Sequence, residues 1–324
     1  MTRLKVVVTD YTFPDLEQER QAAMAAGAEF ESYQCRTEAE VAEAIRGASV
    51  ALVQFAKADR AAIAGLARGA ALVRYGIGYD NIDVAAATEL GVPVGYVPDY
   101  CPDEVADHTC AALLTLLRKL PSLDASVRAG RWEAVAVARP IRPFSETLVG
   151  FLGLGQIGRR VHARLSSFGF RFAVADPAVS EAEAVALGMR KLSAEELFRQ
   201  ADAVSLHAPA TEATTRFVNA ARLATMQPHA VLVNSARGAL VDEDALADAL
   251  HSGRLGGAAL DVFEHEPLPA ASALRGAPGV LLTPHAAWYS DAAISRLQKL
   301  VADDITNHLN GRPLRKPVPA SRGV

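Results

Sequence analysis

A chain of 324 residues, 50% hydrophobic and 22% charged, has the length of about two domains and enough apolar side chains to bury large cores. A net charge of only −4, with no basic block, argues against a nucleic-acid partner. No stretch approaches the ~20 apolar residues of a membrane helix, and the run in MTRLKVVVTD is too short for a signal peptide. That segment reads as the first strand of a cytoplasmic protein.

Three cysteines (Cys35, Cys101, Cys110) are an odd number without metal-ligand or disulfide spacing, which fits thiols in a reducing compartment. Glu264, His265 and Glu266 are adjacent rather than at ligand spacing, so no metal is expected.

In chain order, LKVVVTD, ASVALVQ and AALVRY read as strands, separated by helical stretches at Asp15–Ala26 and Thr37–Gly47. Pro93, Pro98 and Pro102 then crowd a turn before a long helical pattern, Glu104–Leu120, which places a domain boundary there. A second series follows: TLVGFLG, RFAVAD, ADAVSLH, AVLVNS, AALDVF and VLLTPH, each followed by a helix-length segment. Alternation of this kind is the pattern of a parallel, doubly wound α/β sheet. One long helix closes the chain, with Ser290 placed to cap it and Asn310–Gly311 to end it. The expected architecture is two Rossmann-like lobes with a cleft between them: residues 1–98 with 290–324 for substrate, and 99–289 for a dinucleotide.

The strand TLVGFL runs into Gly153, Leu154, Gly155, Gln156, Ile157 and Gly158 and then into a helical segment. The first glycine makes the tight turn, the second lets backbone approach a pyrophosphate, and the third lets helix pack on strand. The N–H groups and dipole of the helix start favour the phosphates. RFAVAD ends at Asp176, eighteen residues past Gly158, where a carboxylate accepts bonds from the adenosine ribose 2′-OH. A 2′-phosphate there would meet a like charge, costing up to roughly 4 kcal/mol at about 4 Å and an effective dielectric near 20. The next residues, Pro-Ala-Val-Ser, offer no arginine against it, so NAD is the expected cofactor.

Arg237, Glu266 and His285 each follow a strand-like run, at the sheet edge where open α/β sheets hold ligands. Reduction of a 2-oxo acid needs a cation for the carboxylate and an acid for the new alkoxide. Arginine offers a bidentate fork, and a histidine paired with a carboxylate offers a proton near neutral pH.

NSARG, DVFEHEPLP and TPHAAW, in this order, resemble the D-isomer-specific 2-hydroxyacid dehydrogenase family over nearly the whole chain. The resemblance implies hydride transfer between NAD and C2 of a small 2-hydroxy or 2-oxo acid. Arg237 would bind substrate, with Glu266 and His285 as the acid/base pair. It implies cofactor contacts for Thr109, for His207, Ala208 and Pro209 in LHAP, for Ser235 and Ala236, and for Asp261 at the nicotinamide carboxamide. The run Arg74-Tyr75-Gly76-Ile77-Gly78-Tyr79-Asp80-Asn81 resembles the family's substrate loop, so Arg74, Gly76, Ile77 and Gly78 would hold the substrate carboxylate. RYGIGYDNID with TPHAAWYSDAA is similar to the branch of the C-terminal-binding proteins, in which Trp288 would line the substrate pocket. A dimer through the cofactor lobe is also implied, with Arg128–Pro143 as an arm. The alternatives are an NAD-sensing corepressor-like binding protein and, among enzymes, a 3-phosphoglycerate dehydrogenase or a glyoxylate/hydroxypyruvate reductase.

Overall fold

The computed structural model describes residues 4–319. The chain divides into two compact units, residues 1–101 with 290–324 and residues 102–289. The first boundary thus lies after Cys101 rather than at Pro98. The prolines are not the break itself: the helix Pro102–Leu117 starts on the last of them, where its missing N–H costs nothing.

The first unit holds β1 (Lys5–Val8), β2 (Glu29–Ser32), β3 (Val50–Val53), β4 (Ala71–Arg74) and β5 (Val94–Gly95). They form one parallel sheet in the order β2-β1-β3-β4-β5. The central strands are the ones legible in the sequence. β1 and β3 are almost wholly buried apolar runs, whereas β2 is a half-exposed EFES and β5 has two residues. The helix Glu38–Ala44 begins with a capping box, in which Thr37 accepts from the Glu40 N–H and Glu40 accepts from that of Thr37. The last helix, Asp291–Leu309, is capped by Ser290, ends before Gly311 at φ 72°, and packs on the helix Glu17–Ala25.

The second unit holds β6 (Leu148–Leu152), β7 (Arg171–Ala175), β8 (Met189–Lys191), β9 (Ala203–Leu206), β10 (Val231–Asn234), β11 (Gly257–Leu260) and β12 (Val280–Leu282). Their order is β12-β11-β10-β9-β6-β7-β8, all parallel. Two apolar clusters fill this unit, one around Leu197, Leu232 and Leu246, the other around Phe151, Val161 and Leu165. Strand order reverses between β6 and β9, and the carboxyl ends on either side of such a switch point form a crevice. Among the described residues no helix is long and apolar enough to cross a membrane.

Candidate active site

At the switch point, β6 leads into Gly153, whose φ is +86°. A Cβ there would lie 2.8 Å from the Ala208 nitrogen, so the turn both needs the left-handed region and has no room for a side chain. At Gly155 a Cβ would meet nothing, so this stretch of backbone faces open space. Gly155 is also the N-cap of the helix Gln156–Leu165 and supplies no capping side chain. The second glycine therefore keeps the helix start open to a ligand, as a phosphate cradle requires. Leu154 and Gly158 are buried, while Gln156 and Ile157 form the exposed and half-exposed first turn.

Asp176, just past β7, accepts from the Leu154 N–H at 2.7 Å and the Ala178 N–H at 2.8 Å. The carboxylate thereby fastens the glycine turn while bordering a cleft of about 620 Å³. Gly153, Gly155, Asp176, His207, Ala208 and Pro209 all line that cleft. The His207 ring stacks on Phe151 at 5.7 Å and bonds Ser205 at 2.9 Å. Burial pushes its pKa down to about 4, so it is a neutral wall. Lys191 lines the same cleft, its ammonium donating to the Val179 carbonyl. Sequence reading missed it because Lys191 arrives from β8, the neighbour of β7 in the sheet.

On the other side of the switch point, β10, β11 and β12 deliver the chemical groups. His285 Nδ1 lies 2.7 Å from Glu266 Oε2, and Glu266 Oε1 accepts from the Phe263 N–H at 3.0 Å. Burial raises the Glu266 pKa, but the bond and charge of His285, the Phe263 N–H and the charge of Arg237 outweigh it. The carboxyl is left below its usual range, ready to hold an imidazolium. Arg237 is half-buried, with one guanidinium N–H donating to the Ala236 carbonyl at 2.6 Å. Its approach to the Glu266 segment depends on Gly238, where a Cβ would sit 1.9 Å from the Phe263 carbonyl carbon. Only glycine tolerates that backbone contact, a requirement invisible in the motif itself.

His285 has φ 51°, in the left-handed region that non-glycine residues rarely occupy. Asp261 maintains it. The His285 N–H donates to the Asp261 carbonyl at 2.7 Å. The Asp261 carboxylate accepts from the Thr283 hydroxyl and from the N–H groups of Ala286 and Ala287, at 2.6, 2.8 and 2.9 Å. Of about four lone-pair positions on a carboxylate, three serve the loop that carries the histidine, leaving about one for a cofactor amide. Thr109 is fully buried; its hydroxyl donates to Val105 and sits 2.6 Å from the Ser235 hydroxyl. Trp288 is half-buried, with its ring edge-on to Tyr289 at 6.0 Å.

In the first unit, the loop after β4 folds under its own arginine. The Arg74 guanidinium donates to the Tyr75 carbonyl and lies where a side chain on Gly76 (φ 137°) would be. A cation is thus laid against the glycine backbone. Asn81 ties this loop to the one after β3 through the Gln54 and Ala56 carbonyls, at 3.3 and 2.8 Å. Ile77 and Gly78 are half-buried beside it.

Fold and site together define an α/β protein with a dinucleotide crevice and a histidine–carboxylate pair. Residues 110–287 match the D-isomer specific 2-hydroxyacid dehydrogenase NAD binding domain. The chain belongs to the D-isomer specific 2-hydroxyacid dehydrogenase family. NAD is the cofactor of the matched domain, and the bare glycine turn and the Asp176 carboxylate fit a dinucleotide. The chain is 37% identical over 245 residues to D-3-phosphoglycerate dehydrogenase of Synechocystis, covering 76% of this chain and 44% of that one. It is 34% identical over 314 residues to the enzyme of that name from Methanocaldococcus jannaschii, covering 95% and 58%. The chain thus spans about half the length of the curated relatives it matches. Among solved structures, the NADPH-dependent glyoxylate/hydroxypyruvate reductase of Sinorhizobium meliloti has 30% identity, a TM-score of 0.82 and coverage of 99% and 100%.

Proposed function

We propose that this chain reduces a small 2-oxo acid, or oxidises the matching D-2-hydroxy acid, with NAD as the hydride carrier. The observation that carries the reading is the 2.7 Å contact between His285 Nδ1 and Glu266, with the charge of Arg237 bearing on the same carboxylate. Bound in the crevice, the nicotinamide supplies or takes the hydride; the protein's residues do the rest. Glu266 fixes the tautomer of His285, so that Nε2 faces the substrate and delivers the proton to the C2 oxygen. Arg237 grips the carboxylate and draws charge toward that oxygen. In the first unit, Arg74 and the Gly76–Gly78 backbone offer a cation and N–H groups to an anionic substrate.

Turnover of a panel of 2-oxo acids, followed by loss of NADH absorbance, tests the reading. His285→Ala should lower kcat by roughly 10² to 10⁴, the scale of general acid–base catalysis. A variant with wild-type kcat would remove the assignment.

Two further parts of the reading rest on features outside the crevice. In the segment proposed as a dimer arm, Trp132 is 90% and Val135 74% exposed, apolar area of the kind a second copy would cover. Trp132→Ala should shift the mass in light scattering toward a monomer. The odd number of cysteines, Cys35, Cys101 and Cys110, without disulfide-framework spacing supports a cytoplasmic location.

A further inference from the structure

Glu19, on the helix Glu17–Ala25, has none of its surface exposed. Its Oε1 accepts from the Tyr75 hydroxyl at 3.1 Å, and its Oε2 from the Gln298 amide at 3.2 Å. Gln298 also donates to the Asp15 carbonyl at 2.8 Å. Tyr75 is equally enclosed, edge-on to Phe13 at 5.1 Å, and its backbone N–H is held by Val53 at 2.8 Å. It is also the residue before Gly76, and its carbonyl receives the Arg74 guanidinium. A buried carboxyl is therefore one side chain away from the loop assigned to the substrate's carboxylate. An ionisable group in such a place needs an explanation, because burying its charge without a cation is costly.

We propose that Glu19 is a positioning residue that acts through Tyr75, and that gain or loss of its proton changes how tightly the Gly76–Gly78 loop and Arg74 hold an anionic substrate. The inference rests on the reaction proposed above. Ionised, Glu19 accepts from Tyr75 and places a negative charge behind a loop whose task is to bind one. Protonated, it donates to the Tyr75 oxygen, so the tether persists and the opposing charge is gone.

Burial, the largest influence, and the charge of Asp15 push the Glu19 pKa up to about 7 against the bonds from its own helix, Tyr75 and Gln298. Of the groups facing it, Asp15 stands at the start of its helix, Gln298 on the last helix is uncharged, and Tyr75 follows β4, with Asp10 acting on Tyr75 in turn. Burial, and then Glu19 itself, keep Tyr75 protonated. The change of charge thus belongs to Glu19 and falls in the neutral range.

The test is steady-state kinetics from about pH 6 to pH 8.5, with the intact enzyme and the best 2-oxo acid of the panel. Wild-type KM should rise several-fold across neutrality. Glu19→Gln should hold KM near the low-pH value, with kcat within about twofold of wild type. Tyr75→Phe removes a bond that favours the ionised form, so its KM should rise at higher pH than in the wild type. In parallel, wild-type thermal stability should fall from about pH 5 to pH 8, and Glu19→Gln should lose that slope. If Glu19→Gln abolishes the stability slope yet follows the wild-type rise in KM, Glu19 titrates without acting on the loop, and the proposal is overturned. If both variants leave both profiles unchanged, Glu19 does not titrate there and the proposal is equally overturned. If no 2-oxo acid is turned over at any pH, the proposed reaction itself fails. That outcome is distinct from turnover with a KM profile shared by wild type and variant.

Discussion

Replacing Glu266 with glutamine separates charge from shape in the histidine pair. Opposite unit charges about 4 Å apart interact by about 1 kcal/mol in water and about 4 kcal/mol at an effective dielectric near 20. The side chains of His285 and Glu266 are 27% and 32% exposed, so solvent screening puts the interaction at the lower end, about 1–2 kcal/mol. A second loss follows from the bonding. Both glutamate oxygens are acceptors, one for His285 and one for Phe263, whereas glutamine has one acceptor and one donor. One contact must open, adding about 1 kcal/mol. Together these predict a kcat for reduction down by roughly 30- to 150-fold, since each 1.36 kcal/mol is a factor of ten. The assay is kcat for a 2-oxo acid as a function of pH, wild type against variant. Unchanged kcat would refute the reasoning. On the acidic side, the lowered pKa of Glu266 means that its contribution to stability is present above the usual carboxyl range and lost as pH falls through the depressed one.

Arg237→Lys keeps the charge and loses the planar fork, so both KM and kcat should worsen, and unchanged kinetics across several 2-oxo acids would place Arg237 outside the site. Asp176→Ala should reduce the preference for NADH over NADPH by about tenfold or more, partly through improved use of NADPH, with Lys191 in the same wall left to meet a 2′-phosphate. A wild type that already prefers NADPH, as the Sinorhizobium relative's name states for that enzyme, would overturn the argument. Trp288→Ala should cost long apolar 2-oxo acids about 1–3 kcal/mol relative to glyoxylate, while the wild type ranks them above glyoxylate and phosphorylated acids. A phosphorylated acid as best substrate would align the chain with the relatives named for 3-phosphoglycerate and remove Trp288 as the selector.

What the sequence determined by itself is what lies close together along the chain. The glycine turn, Asp176 one strand later, and Arg237, Glu266 and His285 each just past a strand are local patterns of apolar runs and breakers, and they led to the family. The caps of the last helix, Ser290 and Gly311, were legible for the same reason. The tertiary structure alone decided what depends on neighbours distant in sequence. Edge strands β2, β5 and β8 carry too few buried apolar residues to signal themselves, yet β8 is what brings Lys191 beside Asp176. Gly238 is an ordinary motif glycine until the Phe263 backbone is found pressed against it. Asp261 also holds the left-handed turn of His285, because three donors from beyond β12 converge on its carboxylate. Glu19 lies in a helical stretch with several other charged residues and carries no motif of its own. Only the packing of two helices and the end of β4 around it makes it a buried acid. Periodicity sets which face of an element is apolar, but which side chains meet is set by strand order and helix packing, and those are properties of the folded chain.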